Sequence, residues 1–123
     1  LSSKANEGTM QDLTHLKPLI RVSITNPDSH ANAMFSRGIA SLCKGVLETG
    51  SLNAAAKNMG MAYSKAWRII RESEDSLGVQ LLVRNGAHGS TLTEECQTLL
   101  KIYDALESFV QLKAETFYQE EIN

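Results

Sequence analysis

The strongest constraint on this chain is the stretch from Glu48 to Leu77, ETGSLNAAAKNMGMAYSKAWRIIRESEDSL, which has room for two short helices and the tight turn between them. Ser51 is placed to cap the first helix, with Leu52, Ala55, Ala56 and Met59 on its inward face. The consecutive alanines 54–56 allow a neighbouring helix to come close. Gly60 supplies the turn, and the second helix begins near Ala62 or Tyr63. Its Ala66, Ile70, Ser73 and Leu77 recur at helical spacing on one inward side, while Ser64, Lys65, Arg68, Arg71 and Glu72 occupy the other. A basic helix presented by a tight turn suits the DNA major groove, which is wide enough to admit it while the preceding helix crosses the backbone. The stretch therefore predicts a helix-turn-helix.

The flanks extend that unit. From Leu19 to Thr25, apolar Ile20, Val22 and Ile24 alternate with Arg21, Ser23 and Thr25, the period of a half-buried strand. Asn26-Pro27-Asp28-Ser29 ends it as a turn. Ser36 is expected to cap a helix whose Ile39, Leu42, Cys43, Val46 and Leu47 form an apolar stripe, closed by Gly50. After Gly78, Val79, Leu81 and Val83 alternate with Gln80, Leu82 and Arg84 as a second strand. Residues 85–90 form a glycine-bearing hairpin tip, and a short third strand runs through Leu92. The expected fold is mainly α with a small β-hairpin wing, a winged helix-turn-helix.

Thr93 is expected to cap a last helix, with Glu94 and Glu95 favourably placed for its dipole. Leu99, Ile102, Leu106 and Phe109 recur along it, widened by Leu100, Tyr103 and Val110, and the first half of this stripe is expected to cover the domain's own core. Running to Gln119 it would be about 27 residues and about 40 Å long, more than a small domain needs to cover itself. The excess predicts a dimer arm, with Leu99, Ile102, Leu106, Phe109, Val110 and Phe117 as candidate contacts. The expected organisation is a flexible leader over 1–15, the winged domain over 16–92 and a C-terminal amphipathic dimerisation helix over 93–123.

A net charge of -2 and a pI near 5.9 would by themselves argue against a nucleic-acid partner. The distribution reverses that. Between Ala31 and Arg71 there are six basic residues and one acid, Glu48, whereas from Glu72 to Asn123 ten acids outnumber three basic residues. One basic face on an otherwise acidic molecule satisfies both counts. Cys43 and Cys96 lie far apart within apolar helical patterns, so buried free thiols and a reducing cytoplasmic setting are expected. No apolar run approaches a membrane span, and no metal-ligand spacing or catalytic constellation is present: His15, His30 and His88 are scattered through loops. No enzyme activity, cofactor or membrane partner is expected.

The ordered set of motifs resembles the N-terminal DNA-binding domain of ModE-type molybdate-responsive regulators, itself related to the LysR-type winged helix. The resemblance is carried by Leu16-Lys17-Pro18, Gly38-Ile39-Ala40, Glu48-Thr49-Gly50-Ser51-Leu52 with Ala55-Ala56-Lys57, and the run from Met59 to Trp67, MGMAYSKAW. It continues through Leu77-Gly78, Leu81-Leu82-Val83-Arg84 and Leu92-Thr93, covering about residues 16–112. The resemblance implies a transcriptional regulator that binds duplex DNA as a homodimer. The C-terminal molybdate-binding modules of the full-length family lie beyond the matched residues, so a stand-alone or truncated form is expected and molybdate binding by this chain is not. Where the family usually has Ser at the start of the second helix, this chain has Ala62, without a capping hydroxyl.

The candidate DNA contacts are Lys65, Arg68 and Arg71 on the outward face of the second helix, with Tyr63 and Ser64 at its start. Ser51 and Lys57 on the first helix and Arg84 and His88 on the wing join them. Trp67, beside Ala66, is expected to pack rather than to touch DNA. The alternative is a winged-helix protein-interaction module that does not bind DNA, with the acidic C-terminal helix as its docking element.

Overall fold

The fold is that of a computed structural model, which describes residues 10–123, the His88 side chain excepted. The leader expected over 1–15 therefore lies partly outside the described residues. The described residues form four helices, α1 (Arg37–Thr49), α2 (Leu52–Asn58), α3 (Tyr63–Leu77) and α4 (Glu94–Ile122), with a hairpin of β1 (Leu82–Arg84) and β2 (Ser90–Leu92) between α3 and α4 in the chain. This is a winged helix-turn-helix with a long C-terminal helix. Two compact units divide the chain: Arg21–Glu107, and Ser108–Asn123 with the described residues up to Ile20. Among the described residues no helix is long and apolar enough to cross a membrane, and no cluster of His, Cys, Asp or Glu could hold a metal ion.

The unit Arg21–Glu107 is built on one apolar core in which Phe35, Leu42, Cys43, Val46, Leu52, Ile70, Leu81 and Cys96 are sealed from solvent. The close approach of α1 and α2 has a sequence cause on both sides. A Cβ on Gly45 of α1 would sit 2.6 Å from the Cβ of Ala55 on α2, so a glycine opposite an alanine brings the two backbones together. Cys43 and Cys96 meet across this core with sulfurs 3.4 Å apart, both free and buried. That contact and burial raise the Cys43 pKa above the ordinary thiol range.

Helix ends follow the expected chemistry. Gly50 and Gly78 close α1 and α3 in the left-handed conformation, and the Ser51 hydroxyl accepts from the Ala54 N–H at 3.1 Å. Thr93 Oγ1 accepts from the Cys96 N–H at 3.0 Å and donates to the Gln80 carbonyl at 2.6 Å, joining the α4 cap to the wing base. Ser36 caps α1 by position only, making no side-chain bond.

Four local expectations are corrected. The strand expected over Leu19–Thr25 is a single antiparallel bridge, Ile24 with Phe35, because among the described residues no second strand lies alongside to extend a ladder; Val22 and Ile24 nonetheless pack against the core. Leu47 and Met59, at the ends of α1 and α2, are largely exposed at 62% and 41%. The second strand starts at Leu82, and Leu81 and Leu82 are both buried while Val83 faces out. Its alternation is broken at Glu74 of α3, whose carboxylate accepts from the N–H groups of Leu81 (2.7 Å) and Leu82 (3.2 Å) and clamps the chain as it enters the sheet. On α4 the core-facing side is Cys96, Leu100 and Tyr103, one position round from the expected stripe; Leu99 is half-buried, and Ile102 and Leu106 are exposed.

In the second unit, Gln111 of α4 binds the backbone on both sides of Leu19, accepting from the Ile20 N–H at 2.9 Å and donating to the Pro18 carbonyl at 2.8 Å. Lys17 pairs with Glu115 at 3.2 Å, and Tyr118 donates to the Leu13 carbonyl.

Candidate nucleic-acid interface

The turn between α2 and α3 is held by main-chain hydrogen bonds and by Met61 packing against the core. Gly60 takes a positive φ of 68°, and the N–H groups of Met59 and Met61 both bond the Ala56 carbonyl. A residue with a Cβ would be strained at Gly60, so the glycine sets the angle at which α3 leaves. Ala66, Ile70, Ser73 and Ser76 bury one side of α3, and the Ser73 hydroxyl donates to the Met34 carbonyl at 3.1 Å. Leu77 is half-buried against the same core. With that face committed, Tyr63, Ser64, Lys65, Arg68, Arg71 and Glu72 are directed outward.

The wing is seated beside them. The pairs Leu82 with Leu92, Val83 with Thr91 and Arg84 with Ser90 define its register, and a short helical turn over Gly86–His88 caps it. Ser90 donates its N–H to the Gly50 carbonyl at 2.9 Å, docking the wing base on the turn between α1 and α2. A Cβ on Gly89 would collide with that same carbonyl, so a glycine is needed for the approach. A cleft of about 450 Å³ results, lined among others by Ser51, Asn53, Tyr63, Arg84 and Gly86.

The structure gathers three of the expected contact residues around one that was expected only to pack. Trp67 is half-buried and packs against the core, as expected. Its Nε1–H donates to the Tyr63 hydroxyl at 2.6 Å, and its ring lies 4.9 Å from the Arg84 guanidinium and 5.3 Å from that of Arg71. Arg84 also donates to the Tyr63 hydroxyl at 3.1 Å. The only trace of this in the sequence is the four-residue spacing of Tyr63, Trp67 and Arg71; the arrival of Arg84 from the wing has none.

The other candidates are placed separately. Lys57, Ser64 and Lys65 are exposed, and Arg68 pairs with Glu72 at 3.4 Å on the α3 surface. Ser51 is half-buried, with its hydroxyl engaged as the α2 cap. The His88 side chain lies outside the described part of the structure. Among the described residues, Lys57, Lys65, Arg71 and Arg84 have no carboxylate at ion-pair distance, so their charge is open to an external anion. Sequence reasoning missed Glu74, counted there only as an acid, although its carboxylate anchors the wing to α3.

Residues 41–97, from within α1 to the start of α4, match the family model described as bacterial regulatory helix-turn-helix protein, lysR family. The chain is 42% identical over 55 residues to the HTH-type transcriptional regulator TdcA of Escherichia coli, covering 45% of this chain and 17% of that protein. It is 34% identical over 76 residues to the DNA-binding transcriptional dual regulator ModE of Escherichia coli, covering 58% of this chain and 29% of that protein. With the transcriptional regulator ModE of Haemophilus influenzae it shares 36% identity over 70 residues, 54% of this chain and 28% of that protein. The chain thus spans less than a third of the length of these curated relatives.

Proposed function

We propose that this chain, whose residues 41–97 match the bacterial regulatory helix-turn-helix protein, lysR family model, is a sequence-specific DNA-binding transcriptional regulator, acting in the cytoplasm on duplex DNA as a homodimer. The observation that carries the reading is the outward face of α3. Its cations, with Arg84 from the wing, stand together on a molecule whose net charge is -2.

In this reading α3 enters the major groove, where Ser64, Lys65 and Arg68 meet base edges. Lys57, Arg71 and Arg84 face phosphates with Tyr63 bonded to Arg84 beside them, Ser51 sets the α2 end against the backbone, and His88 sits on the wing tip. Arg68 must exchange Glu72 for a base, a small cost because both are exposed. Exposed Ile102, Leu106, Phe109 and Phe117, with half-buried Leu99 and Val110, are the α4 side chains assigned to the dimer contact.

Fluorescence anisotropy on duplexes selected from a random pool tests the reading. Affinity is expected to fall steeply with salt, and Arg68→Ala to lose about 1–3 kcal/mol of discrimination at one base position. Salt-insensitive binding, or unchanged preference in the variant, would count against it. Sedimentation equilibrium tests the dimer: Phe109→Glu is expected to yield monomer, and a parent chain that stays monomeric at high concentration would refute that part.

A further inference from the structure

Arg84 sits on an exposed hairpin, where a long side chain ordinarily samples many rotamers and loses that freedom on binding an anion. Here it does not stand alone. Its guanidinium lies over the Trp67 ring at 4.9 Å and donates one bond to the Tyr63 hydroxyl at 3.1 Å. The same hydroxyl accepts from Trp67 Nε1 at 2.6 Å, and the two rings meet edge to face at 6.5 Å. Both aromatic residues belong to α3, whereas Arg84 belongs to β1. A guanidinium carries five N–H donors, so most remain free after the bond to Tyr63. The cleft lined by Tyr63, Arg84 and Gly86 opens beside them with room for a phosphodiester.

Resting on the duplex-binding reading, we propose that Tyr63 and Trp67 are positioning residues that hold Arg84 for one backbone phosphate, so that the wing and α3 grip DNA as one piece. Trp67 supplies the face on which the cation rests. Tyr63 fixes the rotation of the guanidinium in that plane, having been oriented by the indole N–H. The wing cation is thereby ordered before DNA arrives, and its ordering cost is removed from the binding step.

A double-mutant cycle on a fluorescein-labelled mixed-sequence duplex at low salt tests this, using the full chain. Arg84→Ala should weaken binding and lower the slope of log affinity against log salt by about one unit. Tyr63→Phe should weaken it by about 2- to 10-fold, with the fold retained in far-ultraviolet circular dichroism. The double variant should bind no more weakly than Arg84→Ala alone, because Tyr63 acts through Arg84. The chain's single tryptophan gives an independent signal: Tyr63→Phe should alter its emission in the free protein, since the indole N–H loses its acceptor. Parent-like affinity in Tyr63→Phe, unchanged emission, or additive losses in the double variant would overturn the positioning role. Absence of duplex binding by the folded parent would instead overturn the DNA-binding reading, and the inference with it.

Discussion

Replacing Glu74 by alanine removes the side chain that joins α3 to the wing. Its carboxylate accepts from the N–H groups of Leu81 and Leu82 at 2.7 and 3.2 Å, and its main-chain carbonyl accepts from Gly78 and Val79 at 2.9 and 3.3 Å. Only the side-chain bonds are lost in Glu74→Ala. Each hydrogen bond to a charged acceptor contributes about 1.5–3 kcal/mol, and Leu81 is fully buried, so its N–H is left without a partner. Two terms oppose the loss. A carboxylate in the last turn of a helix works against the helix dipole by about 0.3–1 kcal/mol, and alanine has the better helix propensity by a few tenths. Because Glu74 is half-buried, the bonds are taken near the lower end of their range, and the net expectation is a destabilisation of about 2–4 kcal/mol. Urea denaturation reads the total, and amide hydrogen exchange reads the place, with protection lost first at Leu81 and Leu82. Glu74→Gln keeps an acceptor without the charge and should fall between parent and alanine. A change below about 0.5 kcal/mol in Glu74→Ala, within the range of surface substitutions, would refute the clamp.

Gly45→Ala should lose about 1–2 kcal/mol in urea denaturation: the helix-propensity gain of about 1 kcal/mol is outweighed by a Cβ placed 2.6 Å from that of Ala55, and a stabilised variant would refute the close packing. Burial, with a hydrogen bond to Glu107, raises the Tyr103 pKa above 10.0, so its contribution is fully present below that pH and is lost as pH rises through the folded value. The stability difference between parent and Tyr103→Phe should therefore change only on the alkaline side. The Gln111 hydrogen bond and then Lys17 lower the Glu115 pKa below 4.5, so the contact of Lys17 with α4 is expected to hold above that pH and to weaken as pH falls through the depressed value. Carboxyl NMR titration should show Gln111→Ala raising the Glu115 pKa more than Lys17→Ala does.

Much of the fold was legible because its determinants are local. Ser51, Gly50, Gly60, Gly78 and Thr93 act on neighbours within a few residues, and each end or turn they predicted is where the structure has it. The outward face of α3 was legible for the same reason: helical period assigns its two sides once Ala66 and Ile70 are known to be inside. The expected face of α4 was off by one position because Leu99, Leu100, Ile102 and Tyr103 offer two overlapping apolar stripes, and period alone does not rank them. The packing of Tyr103 edge to face on Phe35 at 5.7 Å ranks them, and Phe35 lies 68 residues away in sequence.

By itself, then, the sequence determined a helix-turn-helix with a basic outward face, a hairpin after it and a long helix to close, since caps, glycine turns and helical period act over a few bonds. Tertiary structure alone decided that Leu19–Thr25 forms one bridge instead of a strand, and that Glu74 interrupts the alternation of the wing. It also decided that Arg84 rests on Trp67. Each of those depends on a partner brought close by the packing of other elements, and a hydrogen bond or a cation over a ring forms only within a few ångströms, a proximity that no spacing along the chain encodes.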